Sequence, residues 1–175
     1  MRPDLRARAR GIRLLVLDVD GVLTDGRLYY GANGAELKAF HIQDGLGLKM
    51  LRASGVEVAI VTGRTSRAVE LRAENLGVPY VFQGVADKLA AFNQLLAQLA
   101  VGASAAAAMG DDLPDLPVLL RCGFAACVPE AAAAVRSHAH YITDRPGGTG
   151  AVREVCELLM RAQGTLETAM QQYLK

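Results

Sequence analysis

Tryptophan is absent from this 175-residue chain, and aromatic residues make up only 5% of it. So thin an aromatic supply argues against stacking platforms for single-stranded nucleic acid. A dominant charge is lacking too. The 19 Lys and Arg against 18 Asp and Glu leave a formal net charge of +1, which calls for no nucleic-acid partner. Five arginines between Arg2 and Arg13 form a basic stretch that reads as a solvated, helix-like lead-in. Cysteine is scarce. Cys122, Cys127 and Cys156 are odd in number and fit neither a CxxC pair nor a disulfide framework. Reduced thiols in a cytoplasmic protein account for them. No apolar run approaches the ~20 residues that span a bilayer, so no membrane partner is expected. The apolar stretch after the basic N-terminus breaks at Asp18 and makes a poor signal peptide.

What is abundant is apolar sequence, 51% of the chain, enough for one domain of residues 1–175 with a sizeable core. Apolar runs at 12–17, 56–61, 80–82, 105–109, 124–128 and 140–142 read as strands. Helical patterns separate them: one from Asp44 through Leu51, one closed by Gly77, one N-capped by Asp87, then 113–120, 131–137 and 152–161. Asn33-Gly34, between two β-prone runs, signals a hairpin over about 26–41. The tail from Gly164 to Lys175 is polar and reads as mobile. Strands alternating with helices predict an α/β fold, a parallel sheet covered on both faces. In such sheets ligands bind beyond the C-terminal ends of the strands.

The chemistry-bearing residues gather at those ends. Asp18-Val19-Asp20-Gly21 closes the first strand with two carboxylates two residues apart. Buried unpaired acids are costly, so a bound cation or a reacting group is the natural compensation. Thr62-Gly63-Arg64 closes the next parallel strand and Gly110-Asp111-Asp112 a later one, while Lys88 opens a helix from which its amine can swing over the same edge. Taken singly, Lys88 reads as surface charge, Thr62-Gly63 as an ordinary turn, and Asp111-Asp112 as a helix cap. Together they supply carboxylates for a divalent cation, a hydroxyl and backbone N–H groups for an anion, and an ammonium. Phosphoryl transfer needs that set. Hard oxygen ligands point to Mg2+.

Asp18-x-Asp20-Gly21-Val22-Leu23-Thr24-Asp25, Thr62-Gly63-Arg64, Lys88 and Gly110-Asp111-Asp112-x-x-Asp115 resemble, in order, the four motifs of the haloacid dehalogenase superfamily of phosphohydrolases. Phe40-x-x-x-Asp44-Gly45, Gln83-Gly84 and Pro146-Gly147-Gly148-x-Gly150-Ala151-x-Arg153-Glu154 narrow the resemblance, which covers Leu14 to Gly164, to its 3-deoxy-D-manno-octulosonate 8-phosphate (KDO 8-phosphate) phosphatases. The resemblance implies a Rossmann-like sheet without a cap domain and with a protruding hairpin. It implies Asp18 as nucleophile and Asp20 as general acid and base, with Asp18, Asp111 and the Asp20 carbonyl as magnesium ligands. Thr62 and Lys88 would bind the phosphoryl group, and Asp112 and Asp115 would orient the ligands. Sugar-acid contacts would come from His41, Ile42, Gln43, Asp44, Gly45, Lys49, Arg64 and Arg72, beside Asp20 and Lys88. Relatives often carry arginine where this chain has Gln43, and sometimes at Lys49; glutamine can hydrogen-bond hydroxyls but cannot pair a carboxylate.

The resemblance further implies a role in lipopolysaccharide biosynthesis and a homotetramer in which four hairpins form a barrel, neighbouring subunits complete each site, and the glycine-rich segment closes over it. That assembly would cover Leu28-Tyr29-Tyr30, otherwise an aggregation-prone edge. Two other functions share parts of the pattern. A phosphatase of a nine-carbon ulosonic acid 9-phosphate would use the same motifs. A phospho-accepting signalling receiver also combines an Asp pair, an acceptor Asp, a Thr and a Lys, but its acceptor sits on a later strand and lacks a second acid two residues on. Intact Asp18, Asp20, Lys88 and Asp111 argue against a catalytically dead assembly subunit. His138 and His140 read as structural.

Overall fold

The apolar runs condense into one parallel sheet. The computed structural model describes residues 3–174. Its strands are β1 (Leu14–Leu17), β4 (Glu57–Val61), β5 (Tyr80–Phe82), β6 (Ala106–Met109), β7 (Phe124–Cys127) and β8 (Tyr141–Ile142), in the order β5-β4-β1-β6-β7-β8. All pairings in this sheet are parallel. β1, β6 and β7 are buried at every position, as strands covered on both faces must be. Cys122, Cys127 and Cys156 are buried, free thiols.

The helices are α1 (Pro3–Arg10), α2 (Ile42–Ala53), α3 (Arg67–Leu76), α4 (Lys88–Leu99), α5 (Leu116–Leu119), α6 (Ala133–His138), α7 (Ala151–Gln163) and α8 (Leu166–Gln171). α7 packs along α1 and α2, and α2 touches α3; on the opposite layer α4, α5 and α6 pack in series. Phe92 and Phe124 are the bulkiest fully buried side chains of the core between them. The expected caps hold. Asp87 accepts hydrogen bonds from the backbone N–H groups of Leu89 and Ala90 at 2.9 and 3.0 Å, and Gly77 ends α3 in the left-handed conformation.

Two termini differ from the sequence reading. The basic lead-in is helical, yet α1 is not wholly solvated: Leu5 and Ala9 are buried, and α1 lies on α7. Arg2 falls outside the described residues. The tail is not shapeless, since α8 turns back with Leu166 buried. Among the described residues no helix is long and apolar enough to cross a membrane.

A second, two-stranded sheet pairs β2 (Tyr29–Tyr30) antiparallel with β3 (Glu36–Leu37), the hairpin that Asn33-Gly34 announced. It rises from the loop after β1. Thr24, buried, holds that loop: its hydroxyl lies 3.4 Å from the carbonyl of Val19 and accepts from the N–H of Gly26 at 3.2 Å. Asp25 accepts from the Tyr29 hydroxyl at 2.7 Å and fixes the hairpin's base.

The glycine-rich loop before α7 lies against this same loop. The Gly148 N–H donates to the Val22 carbonyl at 3.0 Å, and a Cβ on Gly147 would fall inside the carbonyl oxygen of Gly21. Gly147→Ala is expected to cost about 1–3 kcal/mol of stability, the usual range for overpacking. Urea denaturation of the variant beside the parent protein checks the loss.

Candidate active site

Strand order explains why distant motifs meet. From β1 the chain proceeds to β4 and β5 on one side of the sheet and to β6, β7 and β8 on the other. β1 therefore stands at the switch point, where the crevice for a ligand opens beyond the strand ends. Register finishes the placement. Leu17 pairs with Ile60 and with Met109, so Asp18, Thr62 and Asp111 leave three adjacent strands at nearly one level. A cavity of about 420 Å³ opens there, lined by Asp18, Asp20, Thr62, Gly63, Arg64, Lys88, Asp111, Asp112 and Asp115 among others. Every residue of the four motifs singled out for catalysis, phosphate or metal is in that lining.

At its floor one ammonium faces three carboxylates. Lys88 Nζ lies 2.8 Å from Asp18 Oδ1 and 2.7 Å from Asp115 Oδ1. Asp18, Asp111 and Asp115 each offer an oxygen within 4.8 Å of the others. Asp115 is spoken for: its Oδ2 accepts from the N–H groups of Asp111 and Asp112 at 3.1 and 3.2 Å, while Oδ1 takes Lys88. It aligns the others and has little left to give a cation. Asp18 and Asp111 are the two whose oxygens are left to hold a cation. Their pKa values show the deficit. Burial, reinforced by Asp115 and opposed by Lys88, pushes Asp18 up to about 6. Burial, with Asp18 next in weight, pushes Asp111 up to about 7. Burial pulls on Lys88 as well, but Asp115 and Asp18 outweigh it and hold its pKa above the ordinary value. A lysine that stays charged leaves carboxylate charge unbalanced. A divalent cation with oxygen ligands fits that remainder.

Gly21 serves this cluster in two ways. Its φ of +89° is left-handed, and a Cβ there would strike the Asp111 carboxylate. The turn after Asp20 and the approach of Asp111 thus both need glycine. Thr62, buried at the end of β4, accepts from the Arg64 N–H at 3.4 Å.

The hairpin brings two residues that the sequence reading missed. Lys38, its side chain only 2% exposed, donates to Asp20 Oδ1 and lies 3.2 Å from Glu36 Oε1. Glu36 also accepts from Arg64, whose Nε is 3.7 Å from Asp20 Oδ2. The Arg64 hydrogen bond holds the Glu36 carboxyl below its usual range. Glu36 and Lys38 fall two apart in the extended run that begins with β3, which puts them on one face but does not say what that face meets.

The expected sugar-acid contacts lie elsewhere. His41, Ile42, Gln43, Asp44, Gly45, Lys49 and Arg72 do not line the cavity. Asp44 is buried, accepting the Arg153 N–H at 2.7 Å, so it ties α2 to the first turn of α7. Arg72 donates to the His41 carbonyl at 3.0 Å, sits 5.7 Å from the centre of the Phe40 ring, and covers Gly45. Ile42 and Lys49 are exposed. Gln43 accepts from Arg145 at 3.3 Å. A guanidinium therefore does reach position 43, from the glycine-rich loop, and no local pattern announced it. His140 accepts the Ala125 N–H at 2.8 Å and His138 approaches its own helix's Ala134 carbonyl, both structural as expected.

An aspartate after the central strand, a second acid two residues on, a buried lysine and a cation-ready acid pair define a phosphatase of the haloacid dehalogenase class. The family model for haloacid dehalogenase-like hydrolases matches residues 81–154. The chain is 49% identical over 166 residues to the 3-deoxy-D-manno-octulosonate 8-phosphate phosphatase KdsC of Escherichia coli, covering 95% of this chain and 88% of that protein. A probable YrbI family phosphatase from Pseudomonas syringae superposes with a TM-score of 0.97 at 53% identity, over 99% of both chains. So does the Moraxella catarrhalis KDO 8-phosphate phosphatase, solved with magnesium, phosphate and KDO, with a TM-score of 0.97 at 43% identity over 99% of both chains. This chain belongs to that KDO 8-phosphate phosphatase family.

The raised carboxyls set the sign of a pH effect. Asp18 and Asp111 bind protons more tightly folded than unfolded, so their stabilising contribution is complete below the unfolded value near ~4 and is lost as pH rises through about 6 and 7. Metal-free protein should melt at lower temperature at about pH 8 than at about pH 5, and added magnesium should raise the melting temperature far more at the higher pH. Scanning calorimetry with and without a chelator checks this.

Proposed function

We propose that the protein hydrolyses 3-deoxy-D-manno-octulosonate 8-phosphate through an aspartyl-phosphate on Asp18, with Mg2+ as cofactor. The observation that carries the reading is the buried cluster of Asp18, Asp111, Asp115 and Lys88 at the end of β1, in a chain whose relatives are named for this substrate. Asp18 attacks phosphorus, and the bond to the sugar oxygen breaks as Asp20 protonates it. Asp20 then takes a proton from the water that attacks the acyl phosphate, and Asp18 is released. Lys88, the Thr62 hydroxyl and the backbone N–H groups beside it hold the phosphoryl oxygens. Asp18, Asp111 and the Asp20 carbonyl would hold the magnesium, which supplies positive charge to the phosphoryl oxygens. Asp115 keeps Lys88 and the Asp111 loop aligned, and Asp112 caps the turn that follows.

The second group, His41, Ile42, Gln43, Asp44, Gly45, Lys49 and Arg72, stands apart from the cavity of its own chain. We assign the exposed members, with Arg145, to the sugar acid bound in a neighbouring subunit of a homotetramer; Asp44 and Gly45 shape that surface from beneath. Exposed Tyr30, Leu37 and Leu28 on the hairpin support assembly there. The product would serve lipopolysaccharide biosynthesis in the cytoplasm.

A phosphate-release screen over sugar-acid phosphates tests the assignment. KDO 8-phosphate should exceed a nine-carbon ulosonic acid 9-phosphate by about 10-fold or more in kcat/KM, a margin that contacts to one substrate can supply. A reversed preference moves the protein to the nine-carbon class. Asp18→Asn should abolish turnover with an unchanged circular-dichroism spectrum; surviving turnover would remove Asp18 as nucleophile. Light scattering should return four times the monomer mass, and a monomer would remove the shared-site reading.

A further inference from the structure

Asp20 has two carboxylate oxygens, and the hairpin treats them differently. Oδ1 accepts a hydrogen bond from Lys38. Oδ2 makes no hydrogen bond, although it is screened from solvent. Arg64 approaches it, but its Nε at 3.7 Å is too far for one and its terminal nitrogen is engaged by Glu36. A buried lysine is costly to hold. Lys38 is held between two acids, Asp20 and Glu36, with its side chain 2% exposed. Glu36 thus occupies both hairpin-side cations, Lys38 on one oxygen and Arg64 on the other.

We propose that Lys38 is a positioning residue for proton transfer: by fixing Oδ1 it leaves Oδ2 of Asp20 as the oxygen that exchanges the proton with the leaving group. The inference rests on the reading of Asp20 as the general acid. A carboxylate held at one oxygen has a defined rotation about its Cβ–Cγ bond and a single uncommitted face. Without Lys38 the group rotates toward Arg64, and its proton no longer lies on the line to the ester oxygen. Glu36 keeps Lys38 and Arg64 apart, each on its own oxygen. The hairpin, not the sheet, therefore carries the aim of the acid, while the sheet carries the nucleophile.

Substituted phenyl phosphates separate this role from simple structural support. The esters are nearly one size, and their leaving groups differ in how much they need a proton. The value kcat/KM reports steps only up to release of the first product, so the later hydrolysis of the aspartyl-phosphate does not enter. Lys38→Met should lower the ratio of kcat/KM for phenyl phosphate to that for p-nitrophenyl phosphate by about 10-fold or more, within the range of a general-acid contribution. The ratio does not depend on how much of the preparation is folded. Lys38→Arg, which keeps a cation, should restore most of the ratio. Asp20→Asn should lower the ratio at least as far, and the Lys38→Met, Asp20→Asn double variant no further than Asp20→Asn alone. An unchanged ratio in Lys38→Met with a lowered one in Asp20→Asn would overturn the role of Lys38 and leave Asp20 as the acid. An unchanged ratio in both would overturn the reading of Asp20 itself. Additive losses in the double variant would place Lys38 on the substrate, not behind Asp20, and would also overturn the proposal.

Discussion

One ammonium among three carboxylates is the constraint around which this protein is built. Lys88 reaches Asp18 and Asp115 at once, and the group still lacks positive charge. A site so unbalanced survives only where the scaffold is stiff enough to hold it. Three adjacent parallel strands provide that stiffness. α4 contributes as well, because Asp87 fixes where the helix begins and so fixes Lys88 at its first turn. Asp115 contributes by capping the turn after β6 with the oxygen that Lys88 does not use. The Cβ that Gly21 lacks is the space Asp111 occupies. Each local feature makes sense as a way of bringing acids closer than they would stand unaided.

Legibility in the sequence followed chain distance. Apolar runs and capping residues act over a few positions, so strands, helices and their order could be read directly, as could the acids that end the strands. β1 between β4 and β6 then put Asp18, Thr62 and Asp111 together with no further information. Lys38 could not be read that way. In sequence it is a charge on a hairpin strand, and such a charge is ordinarily solvated. Only the fold of the loop through Thr24 and Asp25 turns that face onto Asp20. Arg145 is hidden for the same reason, lying 102 residues from the Gln43 it meets. Asp44 shows a further contact that the sequence did not announce. Its motif invites a ligand role, and one oxygen of its carboxylate also meets the first turn of α7, a contact between helices more than a hundred residues apart. α8 escaped notice because Leu166 is its sole fully buried residue, too little for a periodic signal.

The hairpin shows how a small chain manages without a separate cap. Tyr29 pairs with Leu37 and Tyr30 with Glu36, so the two faces of the ribbon carry different chemistry. Glu36 and Lys38 turn toward Asp20 and Arg64, whereas Leu37, 61% exposed, turns away. Strand periodicity binds these faces together. A slip of one residue would withdraw Lys38 from the acid and bury Leu37 against it. Register in this two-stranded ribbon is set by the Asn33-Gly34 turn, where Gly34 has φ of +79°, and by Asp25 gripping Tyr29 at its base. Those few local bonds are slight for so consequential an alignment, because isolated two-stranded ribbons are marginal in water. The ion pairs of Glu36 and Lys38 therefore act in both directions. They hold Asp20, and they hold the ribbon in the register that turns Leu37 outward. In the proposed homotetramer, subunits covering that outward face would in turn steady the ribbon, and with it the placement of Asp20.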